Sequence, residues 1–342
     1  MRKRTFVLCS LLLAMVFTWW PGTARACACG ALITESGASI DGETALIVHD
    51  GGTETIDMVM SLDGEASSAA WIMPVPSGTQ VSLGNREVFD RLHTITAPKP
   101  RYVYDWSPGF GGTAKDRGPI TGAAGVTVLR TQVVGPFEVT TLDGTSASSV
   151  NSWLVDHGYP SREALEPTFQ DYLDDGWNII AVKLVPGADA TLLAAEGLDA
   201  LRMTFATDRP IYPIKLSRHA QVEQRLRLYV AARHRMDASG PTSRPGELLL
   251  RFAGTVPGSE IGLGDGQWFL TSYQATLFPA DINTDIAFAR SATDEAYQAT
   301  YTVVVPIGSY ALLALLGTGA LAAIAVPMLL LARRQARRQP RD

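Results

Sequence analysis

The sequence predicts an α+β fold, a mainly antiparallel β-sheet with a few short helices. Apolar runs and alternating apolar and polar residues, typical of strands, recur between positions 44 and 278. Turns that contain glycine or proline separate several of them, as in antiparallel hairpins. Three other short segments space their apolar residues three or four apart, as on one face of a helix.

The first hairpin is predicted around a tight turn at Asp50-Gly51-Gly52. The apolar run 44–49 precedes this turn, and the segment 55–62, which alternates between apolar and polar residues, follows it. Residues 69–78 predict a further strand, which its prolines bring to an end because proline lacks the N–H that a β-ladder needs.

Three helices are predicted from apolar spacing and capping residues. Asn85 caps the first, and its apolar face is formed by Val88, Phe89, Leu92 and Ile95. The second spans 146–158 and stops at a glycine, and the third ends at Gly176 with Pro167 in its first turn. We expect Trp153 and Trp177 to lie in the core.

The remaining strands complete the sheet. Residues 126–142 predict another hairpin, and 177–185 is apolar on both faces, which indicates a central strand. Further strands are predicted at 200–206, 211–217, 224–231, 247–253 and 267–278. Two halves that meet near 146 are an alternative to a single large domain.

The segment 97–125 has no periodicity and concentrates aromatic residues among prolines and glycines. A structureless stretch of this length is usually either functional or disordered. We therefore predict a binding surface for a glycan or an envelope protein formed by Tyr102, Tyr104, Trp106 and Phe110. The alternative is that these aromatics fold back onto the sheet.

The N-terminus has the pattern of a secretion signal, a charged start followed by an apolar run and a small-x-small cleavage site. Residues 1–26 are predicted to be removed after Ala26, so that the mature chain starts at Cys27. Cys27 and Cys29 are its only cysteines and are too close together to staple a fold. They leave open a soft-metal or thiol-exchange site, a lipid on Cys27, or two thiols without a function.

The apolar run 303–331 is long enough to cross a bilayer as a helix, for which about 20 residues suffice. The tail 332–342 is basic, with Arg333, Arg334, Arg337, Arg338 and Arg341. Since cationic flanks stay on the cytoplasmic side, the tail is predicted inside and residues 27–302 outside. The sequence thus predicts a single-pass protein of the cell membrane, with the lipid bilayer as a partner through this helix.

Charge and motifs exclude several classes of function. The whole chain has 29 basic and 34 acidic residues. Nine of the basic residues and one of the acidic residues lie in the two ends, so residues 27–302 carry a net charge of about −13. Such an acidic domain argues against nucleic acid as a partner. No P-loop, zinc-protease or nucleophile-elbow motif occurs, so we predict no enzyme and no cofactor. One basic stretch holds Arg218, His219, Arg225, Arg227, Arg233, His234 and Arg235, which we expect mostly to pair with the protein's own carboxylates.

Several longer segments carry a family resemblance. These are AAWIMPVPSG followed by FDRL, VVGPFEVTTL leading into SWLVDHGY, then DYLDDGWNIIAVKL and RPIYPIKLS. Together with the secretion signal and the terminal anchor they resemble the bacterial family called domain of unknown function 2330, over residues 27–235. The resemblance implies a location and a fold, and no site residues.

The sequence therefore favours a membrane-anchored extracytoplasmic protein that acts as a non-enzymatic binding or assembly module of the bacterial envelope. A thiol or soft-metal handling protein that uses Cys27 and Cys29 is the first alternative. An envelope hydrolase with an unrecognised motif is the second.

Overall fold

The computed structural model describes residues 25–27, 30–33, 39–63, 70–105, 127–144, 146–157, 163–184, 199–220, 223–241, 248–306, 325–331 and 333. The chain divides into two compact units, residues 1–97 with 117–298 and residues 98–116 with 299–342. Position 146, where two halves were predicted to meet, falls inside the first of these units.

Strands dominate the described residues. They are β1 (Arg25–Cys27), β2 (Gly30–Ile33), β3 (Ser39–Asp50), β4 (Thr53–Asp63), β5 (Ala70–Pro76), β6 (Gln80–Leu83), β7 (Lys99–Asp105), β8 (Thr127–Val134), β9 (Phe137–Asp143), β10 (Trp177–Leu184), β11 (Leu201–Ala206), β12 (Ile211–Tyr212), β13 (Gln224–Ala232), β14 (Met236–Ser239), β15 (Leu248–Pro257), β16 (Gln267–Leu277), β17 (Ile286–Arg290), β18 (Tyr297–Gln298) and β19 (Thr300–Pro306). The α-helices are α1 (Glu87–Thr96), α2 (Ala147–Asp156) and α3 (Glu166–Asp174), and 3-10 helices span Glu163–Leu165, Lys215–His219, Gly258–Ile261 and Pro279–Asp281.

The described residues of the first unit form three sheets. A six-stranded sheet has the order β1-β2-β5-β10-β9-β8, and an eight-stranded sheet has the order β18-β15-β16-β13-β3-β4-β11-β6. A smaller sheet of β12, β17 and β14 completes it. Strand pairing in these sheets is antiparallel except between β3 and β13, which run parallel. The predicted α+β class with mainly antiparallel sheet is confirmed.

The core lies on both faces of the two large sheets. Alternate residues of β10 show this, because Ile180 packs between the sheets while Ile179 packs against α2 and α3. Both are fully buried, which confirms the predicted central strand. On the far face of the eight-stranded sheet, Leu46 packs with Leu92 of α1. Helices thus cover the outer face of each large sheet, and the inner faces cover each other.

Local signals in the sequence place the first hairpin and the helices correctly. Gly51 and Gly52, with φ of 57° and 78°, make the two-residue turn between β3 and β4, a backbone that only glycine adopts without strain. The Asn85 side chain accepts the Glu87 N–H at 3.0 Å, and Ser146 caps α2. The predicted core positions Trp153 and Trp177 are half-buried, since they lie at the margin of the cluster under α2 and α3.

One strand prediction is wrong in part. The expected strand 211–217 ends after Tyr212 and continues as the 3-10 helix Lys215–His219. Pro213 has no N–H for a ladder, and the backbone N–H groups of Ile214 and Lys215 donate instead to the Asp285 carboxylate. Pro213 and a side chain distant in the sequence therefore end the strand together.

The predicted membrane helix 303–331 cannot begin at Val303, because Thr300–Pro306 is strand β19. Three consecutive β-branched valines favour a strand, and Pro306 ends it. Residues 325–331 and 333 are helical, whereas 307–324 lie outside the described residues. In the part of the chain that the structure covers, no helix has the length and apolar character needed to span a bilayer.

Three buried carboxylates hold the segment 211–215 in the first unit. The Ile211 N–H donates to both Glu54 oxygens, at 3.3 and 3.1 Å, and the Tyr212 hydroxyl donates to Glu43. Asp285 accepts the Ile214 and Lys215 N–H groups at 2.7 and 2.9 Å. The acids come from β4, β3 and the residue before β17, so one short segment ties three separate elements together.

Asp285 makes further contacts to α3. Its Oδ1 accepts the Tyr172 hydroxyl at 2.5 Å, and its Oδ2 lies 3.6 Å from the Lys215 ammonium. That ammonium also lies 4.2 Å from the Tyr172 ring centroid, in a cation–π contact. At 8% exposure Asp285 has lost most of its water, and these partners replace it.

We predict that Asp285→Ala lowers the free energy of unfolding by about 3–5 kcal/mol, because it removes the buried acceptor of the Ile214 and Lys215 N–H groups and of the Tyr172 hydroxyl. Asp175 provides a matched control, since its carboxylate lies 3.9 Å from the same ammonium but is 65% exposed. Asp175→Ala should cost no more than about 1 kcal/mol. Denaturant unfolding followed by tryptophan fluorescence measures both, and equal losses would contradict the role given to Asp285.

We also predict a pH effect at Glu54, which is fully buried and whose pKa burial raises well above its usual 4.5. The folded state therefore holds the Glu54 proton more tightly than the unfolded chain does. Stability should fall as the pH rises above about 4.5 toward the raised pKa of Glu54. Glu54→Gln cannot titrate and should remove that fall, whereas Glu260→Gln, at an exposed position, should keep it. Unfolding free energies over a pH series test this, and parallel pH profiles for the wild type and Glu54→Gln would contradict it.

Candidate functional site

Two of the four predicted aromatic residues, Tyr102 and Tyr104, lie on a two-stranded parallel ribbon formed by β7 and β19 in the second unit. Its register places Tyr102 beside Val303, Tyr104 beside Val305, and Tyr301 beside Pro100. Since alternate residues of a strand share a face, the three tyrosines lie on one face of the ribbon. We call this the tyrosine face.

The tyrosine face is open to solvent. Tyr102 and Tyr104 are each 60% exposed and Tyr301 is 53% exposed, so more than half of each side chain is accessible to solvent. The segment 97–125 was predicted to lack regular structure, and this is wrong for Lys99–Asp105, which form strand β7. Trp106 and Phe110 lie outside the described residues.

The cysteines and the ends of the chain are described only in part. Ala26 and Cys27 belong to β1, where Cys27 stands opposite Gly30, and Cys29 lies outside the described residues. Among the described side chains, no three metal-ligating groups come together. Arg333 is helical, whereas Arg334, Arg337, Arg338 and Arg341 lie outside the described residues. A function of the cysteine pair stays a prediction.

Most of the basic stretch pairs with carboxylates of the same chain, as expected. Arg225 contacts Glu223 at 3.0 Å, and Arg235 contacts Asp237 at 3.2 Å. Arg233 makes a two-pronged contact with Asp50, with Nε–Oδ1 at 3.0 Å and Nη2–Oδ2 at 2.5 Å.

His234 also contacts a carboxylate of the same chain. Its Nδ1 lies 2.8 Å from Asp294 Oδ2, and Asp294 Oδ1 accepts the Arg235 N–H at 2.8 Å. The His234 contact, followed by the Arg235 N–H, lowers the pKa of Asp294. Likewise, the hydrogen bond from Arg233 lowers the pKa of Asp50. Both carboxylates are therefore charged over the physiological pH range.

Arg233 and His234 stand at the wall of a cleft of about 330 Å³ in the first unit, which we call the arginine cleft. Its wall is formed by the ends of β3, β13 and β17, the start of β14 and the loop 208–210. Met236, Phe288 and Pro210 supply apolar surface, and Arg209 and Arg290 supply further cations. A cleft of this volume lies at the lower end of the range for small-molecule sites.

The sequence reasoning found part of the arginine cleft and missed the rest. Arg233 and His234 belong to the basic stretch, but His49, Arg209 and Arg290 stood singly in the sequence. Only the strand order brings these positions together, because β13 lies beside β3 while β14 pairs with β17. No spacing along the chain could have identified them as one site.

A hydroxyl–imidazole pair also occurs in the first unit. Thr168 Oγ1 lies 2.8 Å from His219 Nε2, and burial, followed by the charge of Arg218, lowers the pKa of His219. Thr168 is 1% exposed on α3, so a substrate cannot reach its hydroxyl. This pair fixes the 3-10 helix Lys215–His219 to α3 and does not have the access of a catalytic pair.

Among solved structures, the crystal structure of baculovirus P35 is similar at 12% identity and a TM-score of 0.39. The similar region covers 74% of this chain and 97% of that chain. No curated protein matches the chain. A family model described as an uncharacterized protein conserved in bacteria, DUF2330, matches residues 23–289. That match covers more than half of the 342 residues and agrees with the resemblance carried by the sequence motifs. The chain therefore belongs to the DUF2330 family of bacterial proteins.

Proposed function

We propose that this chain is a membrane-anchored, non-enzymatic binding module of the bacterial envelope, which captures an envelope protein or a glycan on the tyrosine face. One observation carries the proposal, the exposure of Tyr102, Tyr104 and Tyr301 on a single face of a two-stranded ribbon. A ribbon of two strands is at best marginally stable alone, and exposed aromatic area favours a partner that covers it.

The chemistry of tyrosine suits both kinds of partner. Its ring offers a large apolar surface with only two side-chain torsions to fix, and its hydroxyl hydrogen-bonds at the rim of a contact. Tyrosine is accordingly enriched in protein interfaces. Lys99 and Arg101, on the opposite face of the ribbon, leave the tyrosine face uncharged.

The predicted location follows from the two ends of the chain. A secretion signal at 1–26 directs the chain out of the cytoplasm, and the basic tail 332–342 keeps the C-terminus inside. The apolar sequence continues from Pro306, where β19 ends, to Leu331. The tyrosine face is thus next to the predicted anchor in the sequence.

We predict that Tyr102→Ala combined with Tyr104→Ala removes the partners that in-cell crosslinking and mass spectrometry find for the wild-type chain. The two changes delete most of the aromatic surface on which a partner would pack. Val304→Ala is the matched control, because Val304 is 55% exposed on the same ribbon but on its other face. An unchanged set of partners in the double variant would exclude the tyrosine face as the binding surface.

We predict that protease added to intact cells digests residues 27–302 and leaves an epitope tag at the C-terminus protected. The reason is the basic tail, which resists export. Permeabilised cells provide the control, in which the tag should also be digested. Protection of the region 27–302 in intact cells would contradict the proposed location.

A further inference from the structure

Among the described residues of the arginine cleft, some cationic side chains have a salt-bridge partner and others do not. Arg233 is occupied, since it pairs with Asp50 and its guanidinium lies 4.1 Å from the centroid of the Trp268 ring. His234 is occupied by Asp294. In the part of the chain that the structure describes, the side chains of Arg209 and Arg290 make neither a salt bridge nor a hydrogen bond, although Arg290 acts on Asp294 through its charge.

The backbone that carries Arg209 is held on several sides. The Thr207 hydroxyl accepts the Arg209 N–H at 3.3 Å and donates to the Arg209 carbonyl at 2.9 Å. The Thr207 N–H donates to the Gly52 carbonyl at 3.0 Å, which ties the loop to the first hairpin turn. The Phe288 N–H donates to the Pro210 carbonyl at 2.9 Å, which ties it to β17. A loop fixed in this way loses little entropy when its side chain binds a ligand.

Arg290 approaches the same cleft from another element. It ends β17, where it stands opposite Met236 of β14 in an antiparallel pair. Met236 is 7% exposed and Phe288 is 1% exposed, so the wall beside Arg290 is apolar and packed. The cleft therefore combines two available guanidinium groups with an apolar wall.

We propose that the arginine cleft binds a small organic oxyanion, a carboxylate or phosphate group on an apolar body, between Arg209 and Arg290. The planar guanidinium fork matches both groups, with two parallel N–H donors for two oxygens. The apolar body packs against Phe288, Met236 and Pro210. This site rests on different residues from the tyrosine face and stands whether or not that face binds a partner.

The exposed Asp208 also lines the cleft and carries a charge of the wrong sign for an oxyanion. Its carboxylate opposes the ligand and so limits the affinity of the site. Substitutions at these two neighbouring residues should therefore have opposite effects on affinity. Asp208→Asn should strengthen binding, and Arg209→Gln should weaken it.

The test titrates phenyl phosphate into the full-length chain in nanodiscs of phosphatidylcholine and follows the ligand by nuclear magnetic resonance. Arg209→Gln and Arg290→Gln should each weaken binding by about tenfold or more, since each removes hydrogen bonds to a charged group. Arg218→Gln removes the same charge at an exposed position outside the cleft and should bind as the wild type does. Asp208→Asn should bind more tightly than the wild type.

Competition experiments separate the head group from the body and identify the source of the ligand. Inorganic phosphate and benzoate should displace phenyl phosphate, and phenol should not. Nanodiscs that contain phosphatidylglycerol distinguish a lipid head group, which would compete there, from a soluble ligand, which would not.

The inference is overturned if the wild type does not bind phenyl phosphate, or if binding is unchanged in Arg209→Gln and Arg290→Gln. The inference is also overturned if phenol displaces phenyl phosphate while inorganic phosphate and benzoate do not. Because both arginines are exposed, the variants should keep the wild-type melting temperature, which confirms that a loss of binding does not come from unfolding.

Discussion

The fold of the first unit depends on three buried acidic side chains that bind one short segment of the chain. Glu43, Glu54 and Asp285 are 2%, 0% and 8% exposed, and such burial is costly unless hydrogen bonds replace the lost water. The segment 211–215 supplies these bonds from three backbone N–H groups and one phenol. Hydrogen bonds to these acids require a defined direction and distance. They therefore fix the position of the segment more closely than apolar packing alone would.

This constraint reaches the arginine cleft through the backbone. The loop 208–210 leads directly into Ile211, so the bond from Ile211 to Glu54 fixes the end of the loop that carries Arg209. The same three acids are buried and accept hydrogen bonds from the segment 211–215. In contrast, Asp50 and Asp294 lie at the surface and pair with Arg233 and His234. Arg233 thus has a surface carboxylate as its partner, whereas Arg209 makes no salt bridge among the described residues although Asp208 lines the same cleft.

The sequence predicted those parts of the fold that short-range rules control. The Gly51-Gly52 turn, the Asn85 cap and the two apolar faces of β10 each depend on neighbouring residues, and all three are present. It did not predict that 211–217 changes from strand to 3-10 helix. Pro213 is a local signal for the end of the strand, but the carboxylate that accepts the next two N–H groups belongs to Asp285, about seventy residues away in the sequence. The parallel pairing of β3 with β13 and the assembly of the arginine cleft are long-range in the same sense.

The ribbon that carries the tyrosine face shows a second reason why sequence-based prediction fails. One run of residues there has features of both a membrane helix and a strand. Residues from Val303 onward are apolar enough to extend a membrane helix, yet their β-branched side chains favour the strand that the structure shows. Length and hydropathy measure only how apolar a run is, whereas the partner strand β7 decides its conformation. With Tyr102 and Tyr104 each 60% exposed, that two-stranded pair buries little aromatic area of its own. A partner that covers the tyrosine face would add its binding free energy to the stability of the ribbon, so that binding and order at this surface are coupled.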